Sequence, residues 1–122
     1  MRVLVVDDSS TMRRIVRNNL KAIGYTDIVE AEHGQAALGQ LAQGGVDLVI
    51  TDWNMPVMTG IDLVVQMRSQ PALQQLPVLM VTTMAEKANI IQAIQAGVTN
   101  YVVKPFDTPT LQAKIAQVLS KK

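Results

Sequence analysis

The feature that most constrains this chain is a repeated alternation between short apolar runs and amphipathic stretches of helix length. The runs are Val3–Val6, Ile28–Ala31, Asp47–Thr51, Val78–Thr82 and Tyr101–Val103. Most are continuous and rich in β-branched residues, as strands covered on both faces must be. The first intervening segment gathers Met12, Ile15, Val16, Leu20 and Ile23 on one face, leaves Arg13, Arg14, Arg17 and Lys21 mostly elsewhere, and meets a stop at Gly24. Further helices are predicted over Gln35–Gln43, over Gly60–Ser69 before Pro71, and over Ala85–Ala96 up to Gly97. A last helix runs from Pro109, with Thr108 as its N-cap. Strict succession of strand and helix specifies an α/β fold of (βα)5 type, a doubly wound parallel five-stranded sheet with helices on both faces.

At 122 residues this is one domain, 1–122, large enough to fold without a staple. Cysteine is absent, which excludes a disulfide framework and a thiolate metal site and fits a cytoplasmic protein. A formal net charge of +1 carries no signal for nucleic acid or for an acidic membrane surface. The apolar run after Met1 is too short for a signal peptide or a membrane span. The chain stops about a dozen residues into its last helix, which predicts no attached output domain.

In such a fold the ligand site lies beyond the carboxyl ends of the strands. The first run ends in Asp7-Asp8, the third in Asp52, the fourth in Thr82-Thr83 and the fifth in Lys104-Pro105. Three carboxylates, a hydroxyl and an ammonium are thus expected on one edge. Clustered carboxylates repel unless a cation neutralises them. An all-oxygen donor set without His or Cys selects a hard ion, and a few carboxylates with open positions suit Mg2+. Such an ion commonly completes its shell with phosphate oxygens, for which Lys104 and Thr82 supply a charge and a donor. A covalent aspartyl phosphate needs one carboxylate as nucleophile, and the pattern leaves open which of the three attacks.

Val5-Val6-Asp7-Asp8-Ser9, Asp52-Trp53-Asn54-Met55-Pro56 with Gly60 behind it, Val81-Thr82, Tyr101 and Lys104-Pro105-Phe106 together resemble the receiver domains of two-component response regulators, over the whole chain and in order. The match is strongest to the single-domain chemotaxis type. The resemblance implies a flavodoxin-like sheet of order 2-1-3-4-5. It implies that Asp52 accepts the phosphoryl group, and that Asp8, Asp52 and the Asn54 carbonyl ligate Mg2+ while Asp7 holds the ion's water. Lys104 would pair with the phosphoryl group, its bond to Pro105 being cis, and Thr82 and Tyr101 would form a switch pair. In the family the hydroxyl moves toward the phosphoryl oxygen and the ring turns inward, which alters the surface of the fourth helix, fifth strand and fifth helix. Here that surface would include Lys87, Ile90, Ile94, Tyr101 and Lys114. The implied partners are a chemotaxis-type histidine kinase, a flagellar motor switch protein and a phosphatase, with the protein a monomer that catalyses only its own phosphorylation and dephosphorylation. Thr83 and Met84 replace an Ala and a Glu of the best-known members, which bears on phosphate lifetime, and Glu86 stands where a basic residue is frequent.

The remaining features read as structural. Met12, Met67 and Met80 fall in apolar patterns, Met55 and Met58 flank the site turn, and His33 has no partner at ligand spacing. The arginines of the first helix read as a solvated face. Trp53 should point away from Asp52 across the strand end. Other readings compete: a phosphorelay intermediate or non-flagellar chemosensory regulator, a Mg2+-dependent aspartyl-phosphate hydrolase of haloacid-dehalogenase type, and a flavodoxin-like redox carrier. The hydrolase places its acids as Asp-x-Asp, whereas Asp7 and Asp8 are adjacent. The redox carrier needs a phosphate loop that the same pair would repel.

Overall fold

The computed structural model describes residues 1–83 and 86–120. The sheet contains β1 (Arg2–Val6), β2 (Asp27–Ala31), β3 (Leu48–Asp52), β4 (Val78–Thr82) and β5 (Asn100–Val103). They are all parallel, in the order β2-β1-β3-β4-β5. The helices are α1 (Ser10–Ile23), α2 (Gly34–Ala42), α3 (Gly60–Arg68), α4 (Lys87–Ala96) and α5 (Thr108–Ser120), with a 3-10 turn at Pro71–Leu73. Met84 and Ala85, the latter the expected start of the fourth helix, lie outside the described residues.

The continuous apolar runs follow from the two-sided cover. Val3, Val5, Leu48, Ile50, Leu79 and Val81 pack toward Val16 and Leu20 of α1 and Leu111, Ile115 and Val118 of α5. Their neighbours Leu4, Val6, Val49, Val78 and Met80 pack toward α2, α3 and α4. Each fully buried aliphatic side chain contributes about 1.5–3 kcal/mol, so both faces of the sheet are tied down and a slip of one residue is costly.

Local chemistry sets the boundaries; those of β2, β5, α2, α3 and α4 shift by a residue or two from the predicted ranges, and at two further places the cause is visible. The third strand is displaced by one residue. Asp47 precedes it, its carboxylate accepting from the Arg2 N–H at 2.8 Å, while Asp52 joins the ladder opposite Val81. The last helix is capped by Asp107, not Thr108: its Oδ1 accepts from the Thr110 N–H at 2.9 Å, and bonds from Thr110 hold its carboxyl below the ordinary aspartate value. The Thr108 hydroxyl instead donates to Asn19 of α1. Elsewhere Ser9 caps α1, His33 caps α2 through Nδ1, and Thr59 with Asp62 forms a reciprocal capping box on α3. Gly24 ends α1 at φ 120°, a conformation that a side chain would strain.

Two expectations about side-chain placement are also corrected. Ile15 is 44% exposed. It sits on the flank of α1, where it joins Met12, Pro105 and Phe106 around a hollow of about 290 Å3. Arg13 and Arg17 are not merely solvated: both reach across to Glu30 of β2, at 3.1 and 3.0 Å. Arg68 was given no role by the sequence, yet its guanidinium donates to the carbonyls of Gly97, Leu73 and Gln74. Burial there lowers its pKa.

Candidate functional site

The carboxyl ends of β1 and β3 lie side by side because the strands are neighbours in parallel register, with Val6 opposite Thr51. The next residues, Asp7-Asp8 and Asp52, bring one carboxylate oxygen each to within 4.8 Å of one another. Asp7 and Asp52 are buried and Asp8 is exposed. Lys104, just past β5, reaches back over β4 to place Nζ 2.9 Å from Asp52 Oδ1. Its bond to Pro105 is cis, and its N–H donates to the Thr82 carbonyl at 2.8 Å.

Burial is the main force on Asp7 and pushes its carboxyl up from 3.8 to about 6. A 2.9 Å bond from the Ser9 N–H and the Lys104 charge pull it down, while Asp52 and Asp8 push it up. The donor set is all oxygen, one of its members is open to solvent, and the cluster could hold a small hard cation such as Mg2+.

The loop after β3 is fixed from several sides. The Trp53 carbonyl accepts from the Gly60 N–H at 2.8 Å. A Cβ on Gly60 would come within 2.2 Å of the Asp52 carbonyl oxygen, so only glycine permits this approach of α3. Trp53 packs in the core on the side of α2 and α3, while Asp52 continues the alternation that faces α1 and α5. Asn54 is exposed in the loop. Met55 is buried among the core residues, and Met58 packs against them close over Gly34. Val57, wholly exposed, has φ 69°.

Thr82 is buried at the end of β4, between β3, which ends in Asp52, and β5, which Lys104 follows. Thr83 is exposed at the rim of the apolar hollow. Tyr101 is half-buried on β5, with Lys114 Nζ 4.9 Å from its ring centroid. Lys87 and Ile94 are exposed on α4, and Ile90 is half-buried there. The structure therefore brings Asp7, Asp8, Asp52 and Lys104 together. Tyr101 of β5 and Lys114 of α5 meet each other, and Met84 lies outside the described residues. Arg13, expected on a solvated face, adjoins the site: its Nη1 donates to the Asp7 carbonyl at 2.7 Å. No local signal marks this contact, because its other partner, Glu30, comes from a different strand.

The architecture and the acidic corner define a class. The chain belongs to the response regulator receiver domain family, whose model matches residues 3–116. Its relatives carry a narrower name. The chain is 51% identical to chemotaxis protein CheY1 of Helicobacter pylori, over 98% of this chain and 97% of that one. It is 50% identical to chemotaxis protein CheY of Pseudomonas aeruginosa, over 99% and 98%. Among solved structures, chemotaxis protein CheY4 of Vibrio cholerae superimposes with a TM-score of 0.89 at 36% identity, covering 96% of this chain and 97% of that one. Among the described residues no helix is long and apolar enough to cross a membrane.

Proposed function

We propose that this protein is a cytoplasmic response regulator of the chemotaxis type, phosphorylated on Asp52 and read by a protein partner at the flagellar motor. The observation that carries the reading is the corner itself, with three carboxylates within 4.8 Å of one another and an ammonium 2.9 Å from one of them. Relatives with half their residues in common are named for chemotaxis.

In the reaction a carboxylate oxygen of Asp52 attacks phosphorus in the phosphohistidine of a kinase. The new P–O bond forms as the P–N bond breaks, and the electron pair returns to the imidazole. A carboxylate needs no separate general base, so alignment and charge neutralisation are the main requirements. Asp8, Asp52 and the Asn54 carbonyl would hold Mg2+, with Asp7 holding its water, and the bound ion supplies positive charge to the phosphoryl oxygens. Lys104, already beside Asp52, would pair with a phosphoryl oxygen once the carboxylate is esterified.

The buried Thr82 hydroxyl would then turn to the phosphoryl group, and Tyr101 would move inward, leaving the ammonium of Lys114. The phosphoryl group stabilises that conformer and shifts the population toward it. Lys87, Ile90, Ile94, Tyr101 and Lys114 form the surface that changes. Labelling with a small phosphodonor tests the chemistry. Capture on a flagellar motor switch protein, dependent on phosphodonor and Mg2+, tests the output. Capture only on a histidine-phosphotransfer protein would instead identify a phosphorelay intermediate.

A further inference from the structure

Arg13 occupies a place that its own helix does not favour. It lies one turn into α1, its N–H bonded to the Ser9 carbonyl, near the positive end of the helix dipole, and no acid accompanies it in that first turn. The compensation comes from elsewhere. Nε donates to Glu30 Oε1 at 3.1 Å, and Arg17 holds the other oxygen of the same carboxylate at 3.0 Å. Nη1 of Arg13 is then free to donate to the Asp7 main-chain carbonyl at 2.7 Å.

That carbonyl belongs to the peptide joining the two adjacent acids. On its other side the Asp7 N–H donates to the Ala31 carbonyl at 3.1 Å, and Oδ1 accepts from the Ser9 N–H at 2.9 Å. With Arg13 in place, the Asp7 unit is held through its N–H, its side chain and its C=O. Without Arg13 the Asp7–Asp8 peptide plane is released, and that plane sets the Asp7 ψ and the Asp8 φ and hence the direction of the exposed Asp8 carboxylate. We propose that Arg13, oriented by Glu30, is a positioning residue for the acidic corner, fixing Asp8 toward a divalent cation. This rests on the Mg2+ reading of the corner given above.

Charge and position pull in opposite directions here, so the sign of one measurement separates them. A guanidinium acting only through its charge would repel the cation, and its removal would tighten binding. Outer-shell groups that orient ligands typically weaken metal binding by about 10–100-fold when lost. The experiment is Mg2+ titration of the whole chain, read by Trp53 fluorescence and by calorimetry, with thermal stability in EDTA measured alongside. Arg13→Met should weaken Mg2+ binding about tenfold. Arg13→Lys should also weaken it, since a lysine keeps the charge but cannot fork between Glu30 and the Asp7 carbonyl. Glu30→Gln, which leaves an acceptor for Nε, should fall between these variants and the parent. Binding as tight as the parent's or tighter in Arg13→Met, in a protein still folded in EDTA, would overturn the proposal. So would unchanged binding in Arg13→Lys. A parent protein that binds no Mg2+ would instead overturn the reading of the corner as a metal site.

Discussion

Lys104 Nζ lies 2.9 Å from Asp52 Oδ1, so that the residue following β5 supplies the ammonium that answers a carboxylate on the central strand. Both side chains are mostly withdrawn from water, at 20% and 9% exposure. Removing one partner leaves the other charge poorly solvated, at a cost of about 1–3 kcal/mol. Lys104→Met should therefore lower the urea midpoint of the metal-free protein, and Mg2+ should restore more of the loss than it adds to the parent.

Asp7 predicts a pH dependence. Its carboxyl sits at about 6 in the fold against an ordinary 3.8, so the native state binds the proton more tightly than the unfolded chain. The stability this contributes is fully present below 3.8 and is lost as pH rises through 6. At about 1.4 kcal/mol per tenfold change in binding, the charged form costs about 3 kcal/mol. In EDTA the melting temperature should fall between pH 4.5 and 7, beyond the background trend of other groups. Asp7→Asn should remove that fall and stabilise the metal-free protein at pH 7.5.

Gly60 predicts a steric effect on the same corner. An added Cβ would stand 2.2 Å from the Asp52 carbonyl oxygen and 3.1 Å from Met80 Sδ. The backbone on one side must move, at about 1–3 kcal/mol. Gly60→Ala should lower stability by that amount and weaken Mg2+ binding as well, whereas Gly39→Ala, with nothing within 4 Å, should do neither.

Val57 is wholly exposed and held at φ 69°, where the Met58 N–H closes a three-residue turn on the Pro56 carbonyl at 2.7 Å. A β-branched residue is strained in this region by about 1–2 kcal/mol, and asparagine tolerates it better. Val57→Asn removes no buried contact and should raise the melting temperature, as should Val57→Gly, while Val57→Ile should leave it unchanged.

The strand runs and the strand-end acids were legible because both have a short-range cause. A strand buried on two faces must be apolar throughout, as Val3–Val6 and Val78–Thr82 are, and a parallel sheet presents its carboxyl ends together. The strand order came from the resemblance and not from periodicity. The misreadings lie where a distant residue decides the outcome. Asp107 outcompetes Thr108 as a cap because the Thr108 hydroxyl is engaged by Asn19 of α1. Ile15 matched the helical period, yet the loop at Pro105 and Phe106, not the sheet, covers that flank. Arg13 could not be told from its neighbour Arg14 without knowing that Glu30 lies across from it. The same holds for Arg68, whose acceptors are main-chain carbonyls and leave no trace in residue type.

Phosphorylation of Asp52 is tested most directly by the intact mass of the protein after incubation with acetyl phosphate. With Mg2+ present, the mass should rise by one phosphoryl group that is labile to base, accompanied by a change in Trp53 fluorescence. No gain is expected in EDTA and none in Asp52→Asn. A parent protein that stays unmodified with Mg2+ present, or an Asp52→Asn variant labelled as readily as the parent, would contradict phosphorylation at Asp52.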